Sequence, residues 1–325
     1  MDLTLLYADF MGKPVWMWAV FVGVVLALLV MDLGLFHKEN KEIGVRESLK
    51  LSAFYIGLGV AFGGWVWFEL GQEQGVTYLT AFVVEKTLAM DNVFVIAMIF
   101  SYFAVPRMYQ HRVLFWGILG VIILRGIMIG LGATLVQQFG WILYIFAVFL
   151  IFTGVKMLLV ADKEETLEGN RWIGFLKKHL RVTEGLHGEK FFVRRQVHEG
   201  GPARLFATPL FLALVVIEFA DVIFAVDSVP AIFALTTDPY IVYTSNIFAI
   251  LGLRALYFAL AAMIERFRYL KVALSVVLIF IGAKIFLADL LGLEKIPPML
   301  SLGVVFSILA AGMVYSLWRT REGKA

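Results

Sequence analysis

The chain has no cysteine among its 325 residues, which excludes disulfides, thiolate metal sites and cysteine nucleophiles together. Charge is scarce as well: Asp, Glu, Lys and Arg make up 16% of the residues, against 61% apolar ones. A globule with so little polar surface could not be solvated by water, so the medium around the chain is largely lipid. The five histidines (His37, His111, His179, His187 and His198) lie in polar connections or at segment ends. A phosphate-cradling Gly-rich loop with Lys and a His-Glu pair on a helix are both missing. An ion gradient is therefore the expected energy source, and neither an enzyme nor a resident cofactor is expected. The net charge of +3 sits in loops, where it reports orientation in a bilayer rather than nucleic-acid binding.

What is abundant is the long apolar run. About 20 residues of helix cross a hydrocarbon core, and nine segments qualify: 15–36, 51–70, 76–103, 113–135, 139–160, 207–235, 242–264, 272–291 and 297–318. The first, Val15 to Phe36, is too long for a signal-peptide core, so it reads as a span. The expected fold is an all-α, polytopic membrane protein. Outside the spans, 21 Lys and Arg residues fall on one side of the membrane, and only Lys13 and Lys295 fall on the other. By the positive-inside rule the N-terminus is outside and the C-terminus cytoplasmic.

The connection 161–206 carries nine of these basic residues. Trp172, Phe175, Leu176 and Leu180 share a helical face beside Lys177 and Lys178, as in a helix lying in the interface. Phe191 to Val193 and Arg204 to Ala207 flank Gly200, Gly201 and Pro202, which predicts a short hairpin. The plainest reading of the whole connection is a basic tether that fixes topology.

The sequence also repeats. Leu150-Ile-Phe-Thr-Gly-Val-Lys156 matches Leu278-Ile-Phe-Ile-Gly-Ala-Lys284 at five of seven positions, and mid-span Arg125 corresponds to Arg254. Glu85-Lys-Thr-Leu-Ala-Met-Asp-Asn-Val93 aligns with Asp221-Val-Ile-Phe-Ala-Val-Asp-Ser-Val229. Each unit holds three spans, so the second copy must start from the opposite side of the membrane, the inverted-repeat design of many secondary transporters. The expected organisation is a two-helix accessory segment (1–75), repeat 1 (76–160), a basic cytoplasmic loop (161–206), repeat 2 (207–291), and a final helix with its tail (292–325).

Five basic residues lie within spans: Lys86, Arg125, Lys156, Arg254 and Lys284. So do the acids Glu85, Asp91, Glu218, Asp221 and Asp227, with Asp32, Glu69 and Asp289 nearer the ends. Each charge at mid-membrane costs about 2.5–3.5 kcal/mol on insertion scales, so these groups must face one another, water or an ion. Glu85 and Asp91 are six residues apart, about 120° around a helix, and Asp221 and Asp227 repeat that relation. Their convergence needs neighbouring helices or a local unwinding, for which Pro230 supplies one cause. Carboxylates with Asn92 and Ser228 are hard oxygen ligands suited to manganese, magnesium or calcium. Arg125, Arg254, Lys86 and Lys284 are the expected counter-charges, and Lys156, four residues from its span end, can snorkel to the interface. Carboxylates kept near bases can also exchange a metal ion for protons.

Three stretches resemble the signatures of the TerC family of bacterial membrane proteins: Glu85-Lys-Thr-Leu-Ala-Met-Asp-Asn-Val-Phe94, Glu218-Phe-Ala-Asp-Val-Ile-Phe-Ala-Val-Asp-Ser-Val-Pro-Ala-Ile-Phe233 and Thr244-Ser-Asn-Ile-Phe-Ala-Ile-Leu-Gly-Leu-Arg-Ala255. The similarity is greatest to its manganese exporter branch, Alx, within the LysE superfamily. That resemblance implies a multi-pass protein of the bacterial inner membrane that exports Mn2+, with the family's acidic positions on Glu85, Asp91, Glu218, Asp221 and Asp227. The expected partners are the lipid bilayer, a divalent ion and protons. Two rival readings are an exporter of amino acids or other small solutes, with the buried arginines binding a carboxylate, and a non-transporting scaffold that delivers metal to exported proteins.

Overall fold

The computed structural model describes residues 6–34, 44–160, 174–176, 179–196, 203–260, 270–293 and 296–322. A tight hairpin comes first, β1 (Asp9–Phe10) against β2 (Lys13–Pro14). Its turn places Met11 and Gly12 at positive φ, and Asp9 Oδ1 accepts from Gly12 N at 3.0 Å. The helices then run α1 (Val15–Gly34), α2 (Val45–Leu70), α3 (Gln72–Tyr102), α4 (Arg107–Gln138) and α5 (Ile142–Val160). After a second hairpin, β3 (Phe192–Gln196) with β4 (Ala203–Ala207), come α6 (Pro209–Phe233), α7 (Pro239–Leu251), α8 (Leu253–Leu260), α9 (Leu270–Leu290) and α10 (Pro298–Glu322).

The helix starts are written locally. Thr208 caps α6, its Oγ1 accepting from Phe211 N at 3.4 Å, and Asp238 caps α7, its Oδ1 accepting from Tyr240 N at 3.0 Å. Pro209 and Pro239 follow these caps, where a missing N–H is harmless. The expected break at Pro230 does not occur. Pro230 sits in the last turn of α6, which continues unbroken to Phe233. The break lies instead in the next predicted span, where α7 and α8 meet at a 42° bend around Gly252. A Cβ on Gly252 would lie 2.8 Å from Tyr55 Cβ and 3.0 Å from Lys86 Nζ, so glycine is what lets α2 and α3 approach the bend.

Among the described residues six helices are long and apolar enough to cross a bilayer, or seven with the bent pair α7/α8 taken as one span. Helix α1 is apolar over Val15–Met31. Helix α3 is different in kind: every 18-residue stretch of it holds at least three charged residues. It is nevertheless one of the most buried helices, packed against α2, α6, α7, α8 and α10. Its neighbours shield the mid-helix charges Glu85 and Lys86 from lipid, as a charge-bearing span requires.

An aromatic seam joins α1, α2, α3 and α7 through Phe21, Phe62, Tyr78 and Phe248, with the Phe62 and Phe248 rings 4.5 Å apart. Helices α5 and α9 cross at two glycines. A Cβ at Gly154 would lie 2.7 Å from Ser275 O, and one at Gly282 would lie 2.6 Å from Ala147 O. Each glycine therefore meets the residue seven places before the other, which only backbone-close packing permits.

The basic connection differs from a free tether. Leu176, Leu180, Val182, Leu186 and Phe191 pack onto an apolar cluster formed by α3, α4, α6 and α8. Thr183 N donates to Ala207 O (2.9 Å), Ala207 N to Arg181 O (2.8 Å) and Thr208 N to Phe191 O (2.9 Å), while Arg112 pairs with Glu189 at 3.2 Å. The β3–β4 hairpin stands where the sequence predicts it, with Phe192 opposite Ala207 and Gln196 opposite Ala203. The helix expected around 171–181 is seen at residues 174–176 and 179; Trp172, Lys177 and Lys178 lie outside the described residues.

Candidate functional site

Arg125, midway along α4, is the largest fully buried side chain, at 1% exposure. An arginine is so hidden only if its donors are met, and here the neighbouring helices meet them. Nε donates to Asp221 Oδ2 and Nη2 to Asp221 Oδ1, both at 3.1 Å, in the two-pronged geometry that favours Arg over Lys. Nη1 donates to Glu85 Oε1, to Ser228 Oγ at 2.9 Å and to Asn246 Oδ1 at 3.5 Å. Asn92 Nδ2 also donates to Asp221 Oδ1, at 3.3 Å. Helices α3, α6 and α7 thus close on α4 through one guanidinium. Glu85 is 0% exposed and Asp221 6%. Two carboxylates against one guanidinium leave a formal charge of −1, and Glu85 Oε2 and Asn246 Nδ2 are buried without a protein partner. A buried polar cluster with unmet groups is poor as a scaffold but well suited to a site that binds or exchanges a cation.

Of the proposed ligands, Glu85, Asp221, Asn92 and Ser228 come together at Arg125. Glu218 and Asp227 do not, so the four acids whose side chains are described form no single cage. Glu218 lies one turn before Asp221 on α6 with its carboxyl group against Gly120 of α4; a Cβ there would come within 2.6 Å of both carboxyl oxygens. Asp227 faces α5, where Thr153 Oγ1 donates to its Oδ1 at 3.2 Å and the charge of Lys156 acts on it. Lys156 itself is exposed, consistent with a snorkelling position. The cause is the 120° offset between Asp221 and Asp227: with α6 unbroken the two cannot look the same way. Asp91 stands on α3 with its side chain outside the described set, as does that of Asp32. Among the described residues, no three His, Asp or Glu side chains are placed to hold a metal ion together.

The basic residues divide likewise. Lys86, one residue after Glu85, turns to the α7/α8 bend and donates to Ala249 O at 2.8 Å. A helix end leaves its last carbonyls without i+4 donors, and Lys86 supplies one. Arg254 and Lys284 are both buried. Asn246 was not singled out from the sequence, although the run Thr244-Ser245-Asn246 inside an apolar span was its signal. Thr244 and Ser245 spend their hydroxyls on Tyr240 O and Ile241 O, and only Asn246 reaches the arginine.

The surroundings of the cluster are unequal. On the side of the β1–β2 hairpin a vestibule of about 600 Å3 opens, lined by Glu73, Thr80, Tyr144, Asp238, Lys284 and Asp289 among others. Asp238 pairs with Lys13 at 2.9 Å, and Tyr144 Oη donates to Asp289 at 2.9 Å. Thr80 is five residues, or about 7.5 Å of helix rise, before Glu85. On the opposite side, Asn92, Asp221 and Arg254 border a cavity of only about 20 Å3. Beyond it the apolar cluster of Ile96, Ile99, Phe100, Leu210, Leu256 and Tyr257, covered by the basic connection, blocks the way.

Comparison with known proteins agrees with this architecture. The family described as integral membrane protein TerC family matches residues 70–324. An uncharacterized membrane protein of Rickettsia bellii is 46% identical over 302 residues, covering 93% of this chain and 97% of its own. The membrane protein STKORF319 of Myxococcus xanthus is 45% identical over 311 residues, covering 96% and 94%. A protein of Photorhabdus laumondii, named as a proposed membrane-bound redox modulator Alx, is 46% identical over 316 residues, covering 94% and 96%. No solved structure matches. This multi-pass protein belongs to the TerC family of integral membrane proteins.

Proposed function

We propose that the protein exports divalent cations, manganese first, across the bacterial inner membrane by alternating access, with protons as the coupling ion. One observation carries the reading: Glu85 and Asp221, equivalent positions of the two sequence repeats, meet at a single buried group between an open vestibule and an apolar seal. Glu85, Asp221 and Ser228 are the first ligands, all hard oxygens. Asn92, Asp91, Glu218 and Asp227 serve the path to and from them. Residues 76–160 and 207–291 are the two inverted units, within nine spans that place the N-terminus outside and the C-terminus in the cytoplasm. The reciprocal crossing of Gly154 and Gly282 supports this symmetry, as does the packing of α3 on α7/α8 and of α6 on α4. In this orientation the vestibule faces outward and the seal faces the cytoplasm.

The name of the Alx relatives points to a redox role. For this chain thiol–disulfide chemistry is excluded by the absence of cysteine. Transport is tested by uptake of radiolabelled manganese into everted membrane vesicles, with wild type, Glu85→Gln and Asp221→Asn at equal membrane levels. Wild type should accumulate the ion and both variants should lose at least nine-tenths of it, which is roughly 1.4 kcal/mol or more at the binding or translocation step. Wild-type rates in both variants would overturn the reading.

A further inference from the structure

The oxygens that suit a divalent cation are the ones Arg125 already holds. Asp221 is engaged through both oxygens, Glu85 through one, and Ser228 through its hydroxyl. A metal ion bound at the usual 2.0–2.6 Å from the same atoms would face the guanidinium at close range in a dry interior, where like charges repel strongly. Ion and arginine therefore exclude each other, and Arg125 has to withdraw when the ion binds. Guanidinium stays protonated at any physiological pH, so this competitor is a permanent cation. Its backbone is fixed within α4, so the withdrawal falls to its long, rotatable side chain.

Resting on the transport reading above, we propose that Arg125 is a tethered counter-cation: it takes the cargo's place on Glu85 and Asp221 when the ion has left, and so lets the carrier return without a metal ion. Two bare carboxylates crossing a closed, lipid-surrounded interior would be too costly to move. With the arginine docked, most of that charge is met inside the protein. The role separates two processes. Exchange of one manganese ion for another uses only the loaded carrier; net movement also needs the return of the unloaded one. A guanidinium with a purely structural role would affect both alike.

The test uses the full-length protein in liposomes, with Mn2+ itself as the probe. Exchange is read as entry of radiolabelled Mn2+ into vesicles filled with unlabelled Mn2+, and net flux as entry into vesicles without manganese. In Arg125→Gln the ratio of net flux to exchange should fall at least tenfold below wild type. In Arg125→Lys, which keeps the charge and loses the fork, the ratio should lie in between. Equal loss of both rates in a monodisperse Arg125→Gln protein, or an unchanged ratio, overturns the proposal. If Arg125→Gln does not fold, an unchanged ratio in Arg125→Lys overturns it. Wild-type protein that moves Mn2+ in neither assay overturns the transport reading itself, a result distinct from the other two.

Discussion

Arg125 grips Asp221 with two parallel hydrogen bonds, Nε to Oδ2 and Nη2 to Oδ1, each 3.1 Å long. The pair joins α4 to α6 across 96 residues of sequence, and both partners are buried. Removing one member of such a pair strands the other, typically at about 3–5 kcal/mol. Asp221→Asn keeps the shape but not the charge, so it should lower the unfolding midpoint in detergent and cut manganese flux at least tenfold. Asp227 lies half-buried on Thr153, away from the arginine. Asp227→Asn should reduce flux less than threefold, roughly 0.6 kcal/mol or less. Equal losses in the two variants would show that the division of the acids is wrong.

Gly120 makes room for the carboxyl group of Glu218. In Gly120→Ala the atoms nearest the new methyl are the movable end of that side chain, so the fold should survive while the carboxyl group is displaced. Size-exclusion profiles like wild type, with flux lowered several-fold, are expected. Glu218→Gln should give the same flux without the steric change. A Gly120→Ala protein with full flux would remove Glu218 from the ion's path.

Gly154 and Gly282 each meet backbone atoms of the facing helix, together with one isoleucine side chain, Ile279 or Ile151. Alanine at either should force α5 and α9 apart, with the about 1–3 kcal/mol penalty of overpacking. The losses should be similar because the two contacts are reciprocal. Thermal unfolding in detergent checks this, and a loss at one glycine alone would argue against a symmetric crossing.

Orientation is open to single-cysteine labelling, since the chain has no cysteine of its own. Thr237 lines the vestibule and is exposed, and Arg195 is exposed on the β3–β4 hairpin. Thr237→Cys should react with a membrane-impermeant maleimide on intact cells, and Arg195→Cys only after permeabilisation. The opposite pattern would invert the topology.

Much of the fold was legible because its signals are local. Apolar runs placed the helices within a few residues, and Gly-Gly-Pro between apolar stretches placed the β3–β4 hairpin. The repeat and the cost of burying charge led to a site holding all five acids with Asn92, Ser228 and the buried bases; of these, Glu85, Asp221, Asn92, Ser228 and Arg125 are drawn together. What the residues could not disclose is direction around a helix once neighbours choose among acids. Asp227 is as apolar in its surroundings as Asp221, yet α5 presents it with Thr153. The bend at Gly252 was missed because proline is the louder signal, whereas the glycine acts through its closeness to Tyr55 and Lys86. Docking of the basic connection was hidden for a related reason: an apolar face such as that of Leu176 and Leu180 suits a lipid interface as well as a protein surface, and Val182, Leu186 and Phe191 lie scattered in the polar stretch after it.

The central claim is that one cation site is shared by the two halves at Glu85 and Asp221, and anomalous scattering at the manganese edge from crystals grown with Mn2+ tests it most directly. The account predicts a peak within about 2.6 Å of carboxyl oxygens from both residues, with the Arg125 guanidinium moved off Asp221. A structure with manganese bound elsewhere, and Arg125 still docked on both acids, would contradict it.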